Sequence, residues 1–266
     1  MLDRAPGGGW VPGGPSLYTA RQVAALGAKV SLVTRLAPDY PRRVLRGIDL
    51  IAAPAEHTPR YANSYDASGA RTQLLLDVGE SLEIPPNTLP LSDLQILAPA
   101  FRELPAAVLE HPGTLTSVNL QGLLRQRDAA GRISPVRPAW PAVRPFTRPG
   151  AWYFLSEEDC PDSAALGTTI ATAGGNAVVT AGERGATLFT SERQERIRAI
   201  PALLAEPTGA GDCFAATFMV ALAEGKSVEE ASQMASAAGA LAVEGSGLAA
   251  VPTRAQVLAR LERVAA

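Results

Sequence analysis

The chain has 266 residues, 47% of them hydrophobic and 19% charged, with a formal net charge of −2, which suits one globular domain or a domain with a small appendage. That balance lacks the basic face a nucleic-acid partner needs; no run of about 18 apolar residues offers a membrane span, and no basic-then-apolar start marks a signal peptide. Cys160 and Cys213 lie far apart without metal-ligand neighbours, and His57 and His111 are isolated, so reduced thiols in a cytoplasmic protein are expected, with neither a disulfide framework nor a zinc site.

Residues 1–15 are rich in glycine and proline, with Gly7-Gly8-Gly9 followed by Gly13-Gly14-Pro15, a loop composition. They run straight into a helical pattern, Leu17, Ala20, Val23 and Ala24, with Gly27 as its stop. Gly13 and Gly14 thus sit at a helix N-terminus, where a polar ligand can approach bare backbone. Residues 29–34 alternate and are β-branched, predicting a strand; 47–52 hold another short apolar run. Residues 58–63 and 71–78 read as two strands around the turn Asp66-Ala67-Ser68-Gly69, on residue grounds an ordinary hairpin. A strand at 93–98, a short helix at 101–110 and a strand at 115–120 begin the alternation that predicts a doubly wound, mostly parallel α/β sheet flanked by helices. Asn119-Leu120-Gln121-Gly122-Leu123-Leu124-Arg125 follows at a strand end, where such sheets collect ligand residues. Residues 135–149 are proline-rich and predict an irregular connection.

Residues 151–155 predict a strand leading into Ser156-Glu157-Glu158-Asp159, a Ser-x-x-Asp pattern that also starts helices. Strands at 177–180 and 187–189 flank a turn with Gly182 and Gly185. Near the end, Ser227 with Glu230 forms a capping box, the small residues Ala231, Ala235, Ala238 and Gly239 allow close packing, and Gly245-Ser246-Gly247 ends that helix. Thr253 with Gln256 caps a last amphipathic helix carrying Val257, Leu258, Leu261 and Val264. Gly225-Lys226-Ser227 imitates the tail of a P-loop, but Val220 stands where that motif demands glycine.

The most pointed stretch is Glu206-Pro207-Thr208-Gly209-Ala210-Gly211-Asp212-Cys213-Phe214. Phe214, Phe218 and Leu222 recur with helical spacing, so the glycines open a buried helix whose first N–H groups and dipole attract an anion. Asp212 could simply cap that helix; beside an anion site, it could instead act as a general base for a substrate hydroxyl. The run closely resembles the Asp-Thr/Pro-x-Gly-Ala-Gly-Asp signature of the ribokinase-like (phosphofructokinase-B family) carbohydrate kinases, with Glu206 in place of the first aspartate. The resemblance implies Asp212 as catalytic base and the Gly209, Ala210 and Gly211 amides as anion hole. It further implies substrate-binding roles for Asp3, Gly13 and Gly14, with Ser16 where the family has asparagine, and for Gln121, whose Gln-Gly-x-x-Arg stretch is similar to the inositol-kinase-like branch. Nucleotide contacts fall on Thr180, Gly182, Gly185, Thr208 and Gly247. Ser156 and Asp159 stand where the family has Asn-x-x-Glu, making Asp159 the candidate Mg²⁺ residue.

The implied protein is a single ribokinase-like domain over 1–266 with a β-hairpin lid at about 57–78, short because the loop from Asp3 to Gly13 has no room for a second hairpin. Family members have a strand ahead of the aspartate at the Asp3 position, and only Met1 and Leu2 precede it here, so a missing first strand is expected. The implied activity is ATP- and Mg²⁺-dependent phosphorylation of a sugar, cyclitol or nucleoside hydroxyl by a monomer or homodimer. The rivals are a catalytically silent sugar- or nucleotide-binding relative and a pyrimidine-alcohol kinase, against which Gly13-Gly14 argues.

Overall fold

The computed structural model describes residues 1–5, 8–65, 71–83, 89–109 and 115–265. In chain order, the strands and α-helices are β1 (Leu2–Arg4), β2 (Trp10–Pro12), α1 (Pro15–Ala25), β3 (Ser31–Leu36), β4 (Asp49–Pro54), β5 (Arg60–Tyr65), β6 (Arg71–Asp77), β7 (Leu94–Leu97), β8 (Leu115–Asn119), β9 (Arg125–Arg127), β10 (Ile133–Pro135), α2 (Trp140–Val143), β11 (Trp152–Ser156), α3 (Ser163–Thr172), β12 (Asn176–Thr180), β13 (Ala186–Phe189), β14 (Gln194–Ile197), α4 (Ala210–Ala223), α5 (Val228–Val243) and α6 (Arg254–Ala265).

The main sheet has six strands in the order β14-β13-β12-β11-β8-β7. β7, β8, β11 and β12 run parallel, and β13 and β14 turn back antiparallel. β11 is apolar from Trp152 to Leu155, as a strand covered on both faces must be. Trp152 and Phe154 pack with Phe214 and Phe218 of α4, whereas Tyr153 and Leu155 pack with Leu166 and Ile170 of α3. Ring centroids 4.8 Å apart for Trp152–Phe218 and 5.5 Å for Phe154–Phe218 fix α4 against the sheet. This contact holds the glycine-rich N-terminus of α4 at the carboxyl ends of the strands, where doubly wound sheets bind ligands.

A second sheet, β2-β1-β5-β6, stands apart from the first. It is larger than the single hairpin expected at 57–78, because β1 and β2 form a further antiparallel hairpin and β1 also pairs parallel with β5. The reversal fits into few residues because Gly8 and Gly9 adopt φ of 86° and 82°, closed to most side chains. The turn expected at Asp66–Gly69 lies outside the described residues.

The helix expected at 101–110 does not form; among the described residues that stretch holds only the one-turn 3₁₀ segment Ala106–Leu109. Glu103 instead accepts hydrogen bonds from the Ala100 and Phe101 amides at 2.6 and 2.7 Å, and Arg102 takes φ 55°. Those are local bonds that compete with a helix, and Pro105 removes a further donor. The proline-rich connection at 135–149 carries the short α2 and a 3₁₀ turn, Arg144–Phe146. Both predicted caps are present: the Ser227 hydroxyl accepts from Glu230 N–H at 3.1 Å and Glu230 from Ser227 N–H at 2.9 Å, while Gln256 Oε1 accepts from Thr253 N–H at 2.8 Å. Cys160 and Cys213 are buried free thiols.

β3 and β4 form a separate parallel pair. Between β3 and the β7 edge of the main sheet lies a cleft of about 800 Å³.

Candidate active site

α4 begins at Gly209, whose φ of 82° and ψ of −5° place it in the left-handed region. A Cβ there would stand 2.3 Å from the Tyr18 ring, so only glycine lets α1 and α4 approach this closely. The Ala210 N–H donates to the Pro207 carbonyl at 3.2 Å and the Cys213 N–H to the Gly209 carbonyl at 2.9 Å. Among the described residues the Gly209, Gly211 and Asp212 amides have no such partner. The anion-attracting end of the helix is therefore made chiefly by those three, with Ala210 turned to closing the loop. Nothing lies within 4 Å of a Cβ built on Gly211, leaving room for a ligand against the backbone.

Asp212, on the first turn of α4, is half-buried. Its Oδ1 accepts from Asn119 Nδ2 at 3.1 Å, and Asn119 sits buried at the end of β8. Burial raises the Asp212 pKa to about 7; the Asn119 hydrogen bond and the Arg125 charge oppose that rise, and the charges of Asp159 and Asp3 add to it. A carboxylic acid poised near neutrality suits a general base.

Asp3 lies on β1 beside Gly13 and Gly14. A Cβ on Gly13 would meet Asp3 Oδ2 at 1.8 Å, and the Gly14 backbone donates to the Asp3 carboxylate. Burial lifts its pKa to about 6, against the lowering influence of the N-terminal amine and Arg125. The double glycine thus admits a carboxylate to the mouth of α1. Ser16, one turn on, lines the cleft between β3 and β7, as does Gly13.

Gln121 donates to Asp159 Oδ1 at 3.1 Å, and the Ser156 amide donates to Asp159 Oδ2 at 2.8 Å. Asp159 is thereby fixed near enough to raise the Asp212 pKa. A carboxylate is a hard oxygen donor of the kind Mg²⁺ takes, and a cation beside two mutually repelling acids would relieve them. Mg²⁺ bound with substrate phosphates takes only one or two protein carboxylates, so Asp159 suits it, although among the described residues no cluster of three His, Cys, Asp or Glu could hold a metal alone. Thr180 ends β12 with its hydroxyl on the Leu155 carbonyl at 3.3 Å. Gly182 (φ 55°) and Gly247 (φ 59°) have open space above Cα, whereas a Cβ on Gly185 would strike the Ile197 carbonyl at 2.2 Å. Glu206 accepts from the Gly247 amide at 3.3 Å, tying the stretch that carries Thr208 to the 247 turn.

Two residues of the site escaped assignment from sequence. Asn119 and Arg125 stood inside the quoted 119–125 run, yet only Gln121 was singled out. Arg125 is buried, packs 5.5 Å over the Tyr61 ring, and lowers both Asp3 and Asp212. A buried arginine needs acids nearby, and two acids without one would titrate together; that was the available signal.

Residues 151–254 match the family described as pfkB family carbohydrate kinase. The chain is 44% identical over 96 residues to the bifunctional protein HldE of Azorhizobium caulinodans, covering 35% of this chain and 19% of that protein. It is 41% identical over 88 residues to a ribokinase of Arabidopsis thaliana, covering 32% and 23%; these matches therefore span about a fifth of the curated relatives' lengths. Among solved structures, a pyrophosphate-dependent kinase in the ribokinase family superposes over 97% of this chain and 96% of its own with a TM-score of 0.79 at 17% identity. This chain has the ribokinase fold. Arabidopsis thaliana ribokinase, solved with ribose and ATP, superposes over 98% and 96% at TM-score 0.72 and 20% identity. The ribokinase-like frame accounts for the segment from β11 through α5, within the matched residues, and for the placement of the α4 mouth over the sheet. No described helix is long and apolar enough to cross a membrane.

Proposed function

We propose that this ribokinase-like protein is a phosphotransferase acting on a hydroxyl of a sugar, cyclitol or nucleoside. One observation carries the reading: Asp212, with a pKa near 7, stands on the same helix turn as unpartnered amides, with Asp3 and Arg125 acting on it. Asp3 and the Gly13-Gly14 backbone orient the acceptor. Asp212 takes the proton from the attacking hydroxyl, and Asn119 keeps that carboxylate aimed. The Gly209, Gly211 and Asp212 amides face the charge that grows on the transferred group. Thr180, Gly182, Gly185, Thr208 and Gly247 border the donor, and Asp159 would hold Mg²⁺. Mg·ATP, when bound, supplies the phosphoryl group.

The test is a panel of polyols and nucleosides incubated with γ-labelled ATP and, separately, with labelled pyrophosphate, with and without Mg²⁺. Label transferred to one acceptor class supports the reading. Acceptor binding without transfer from either donor overturns it in favour of a silent binding protein.

A further inference from the structure

Four buried tyrosines differ in what their hydroxyls do. Tyr61 donates to the Ala100 carbonyl at 3.0 Å and Tyr153 to the Phe146 carbonyl at 2.9 Å. The hydroxyls of Tyr18 and Tyr40 make no hydrogen bond among the described residues. Tyr40 lines the cleft between β3 and β7, where solvent can serve it. Tyr18 is placed differently: it is only 4% exposed, and its ring lies on Gly209 at the start of α4. Phenylalanine would fill that space with the same ring and no polar atom. A buried phenol normally finds a partner, and one without is a net cost against that simpler residue. The hydroxyl therefore points to a ligand.

The groups close enough to act on that hydroxyl are the carboxylates of Glu206, Asp3 and Asp212 and the Cys213 thiol. Asp3 belongs to β1 and the acceptor side; Asp212 and Gly209 belong to the mouth of α4. The phenol thus stands where acceptor and phosphate seat meet. Burial first, then those neighbouring charges, hold its pKa above the ordinary value, so it keeps its proton at working pH and serves as a donor, not a base. Asp3 and Asp212 already offer oxygens to the hydroxyls of an acceptor. A neutral donor against Gly209 is of use to the incoming anion. We propose that Tyr18 is a further catalytic residue, whose O–H donates a hydrogen bond to an oxygen of the phosphoryl group in transfer, on the acceptor side of the Gly209 and Gly211 amides. The inference rests on the phosphotransfer reading and adds a side-chain donor to a seat otherwise built from main-chain amides.

The experiment uses the acceptor class found with the labelled donors. Tyr18→Phe keeps the ring on Gly209 and removes one oxygen. Its kcat should fall by about 100-fold with the acceptor KM nearly unchanged, while the melting temperature and the pH midpoint of turnover, set by Asp212, stay where they are. Tyr18→Leu, which also empties the space against Gly209, should lower the melting temperature as well. Unchanged turnover in Tyr18→Phe overturns the proposal. So does a loss carried wholly by the acceptor KM, which would assign the hydroxyl to holding the acceptor. A second measurement needs no turnover: in protein labelled with fluorotyrosine, the fluorine resonance absent from Tyr18→Phe should shift when inorganic phosphate is added. Label transfer in the wild type without that shift sinks the Tyr18 contact and leaves the phosphotransfer reading standing; the shift without transfer to any acceptor supports the contact and sinks the reading.

Discussion

Replacing Asp212 by Asn tests the electrostatics of the site without removing its geometry, because an amide oxygen can still accept from Asn119 Nδ2. Burial sets the Asp212 pKa at about 7 against an ordinary 3.8, a gap that corresponds to about 4 kcal/mol. Since the residue is half-buried, not sealed, solvent screening trims this to about 2 kcal/mol. The sign is set by linkage: the folded state holds the proton more tightly than the unfolded one, so stability falls as pH rises from about 4 to about 7 and stays reduced above. Asp212→Asn removes that penalty. Thermal unfolding at pH 8 should show the variant more stable by about 5 °C for a chain of this size, and at pH 4 the difference should vanish. Turnover, if Asp212 is the base, falls by about 10²- to 10⁴-fold. An equal shift in melting temperature at both pH values, or none at either, would refute the argument that a strained carboxylate sits at the mouth of α4.

The rate of phosphoryl transfer should rise with pH through about 7 as Asp212 loses its proton, and Asn119→Leu, which removes the bond favouring the ionised form, should move that limb to higher pH in a kcat–pH profile. Gly13→Ala places a Cβ 1.8 Å from Asp3 Oδ2; steady-state kinetics should show the acceptor KM up by about 10-fold or more, with the donor KM nearly unchanged. Gly209→Ala meets both a φ of 82° and the Tyr18 ring and should cost about 2–3 kcal/mol in denaturant unfolding, while Gly211→Ala, in open space within the helix, should leave stability unchanged.

Where the chain's local signals agreed, the fold was legible. The capping pairs Ser227–Glu230 and Thr253–Gln256 form as read, since both partners lie within one turn of each other. The alternation at 29–34 and the apolar runs of β11 and β12 reported strands that form. The 101–110 helix failed because Glu103 bonds backward to two amides, a choice between local partners that spacing cannot rank. The β1–β2 hairpin was missed because a glycine cluster reads as loop until its positive φ values are seen. In the site, Asp212 and the glycines stood out because charge and small residues meet at a helix start. Asn119 and Arg125 did not, because their meaning depends on acids 93 residues away in one case and on another strand in the other.

The contact of Gly209 with the Tyr18 ring has a consequence for any attempt to retune this protein. The helix that presents Gly13-Gly14 and the helix that presents Gly211 pack against each other, with the Tyr18 ring seated on Gly209, so moving one moves the other. On the proposed function, shifting the first helix to admit a bulkier alcohol would carry the start of α4 with it, so altered acceptor preference is better sought on the outer sheet away from Asp3, on β5 and β6.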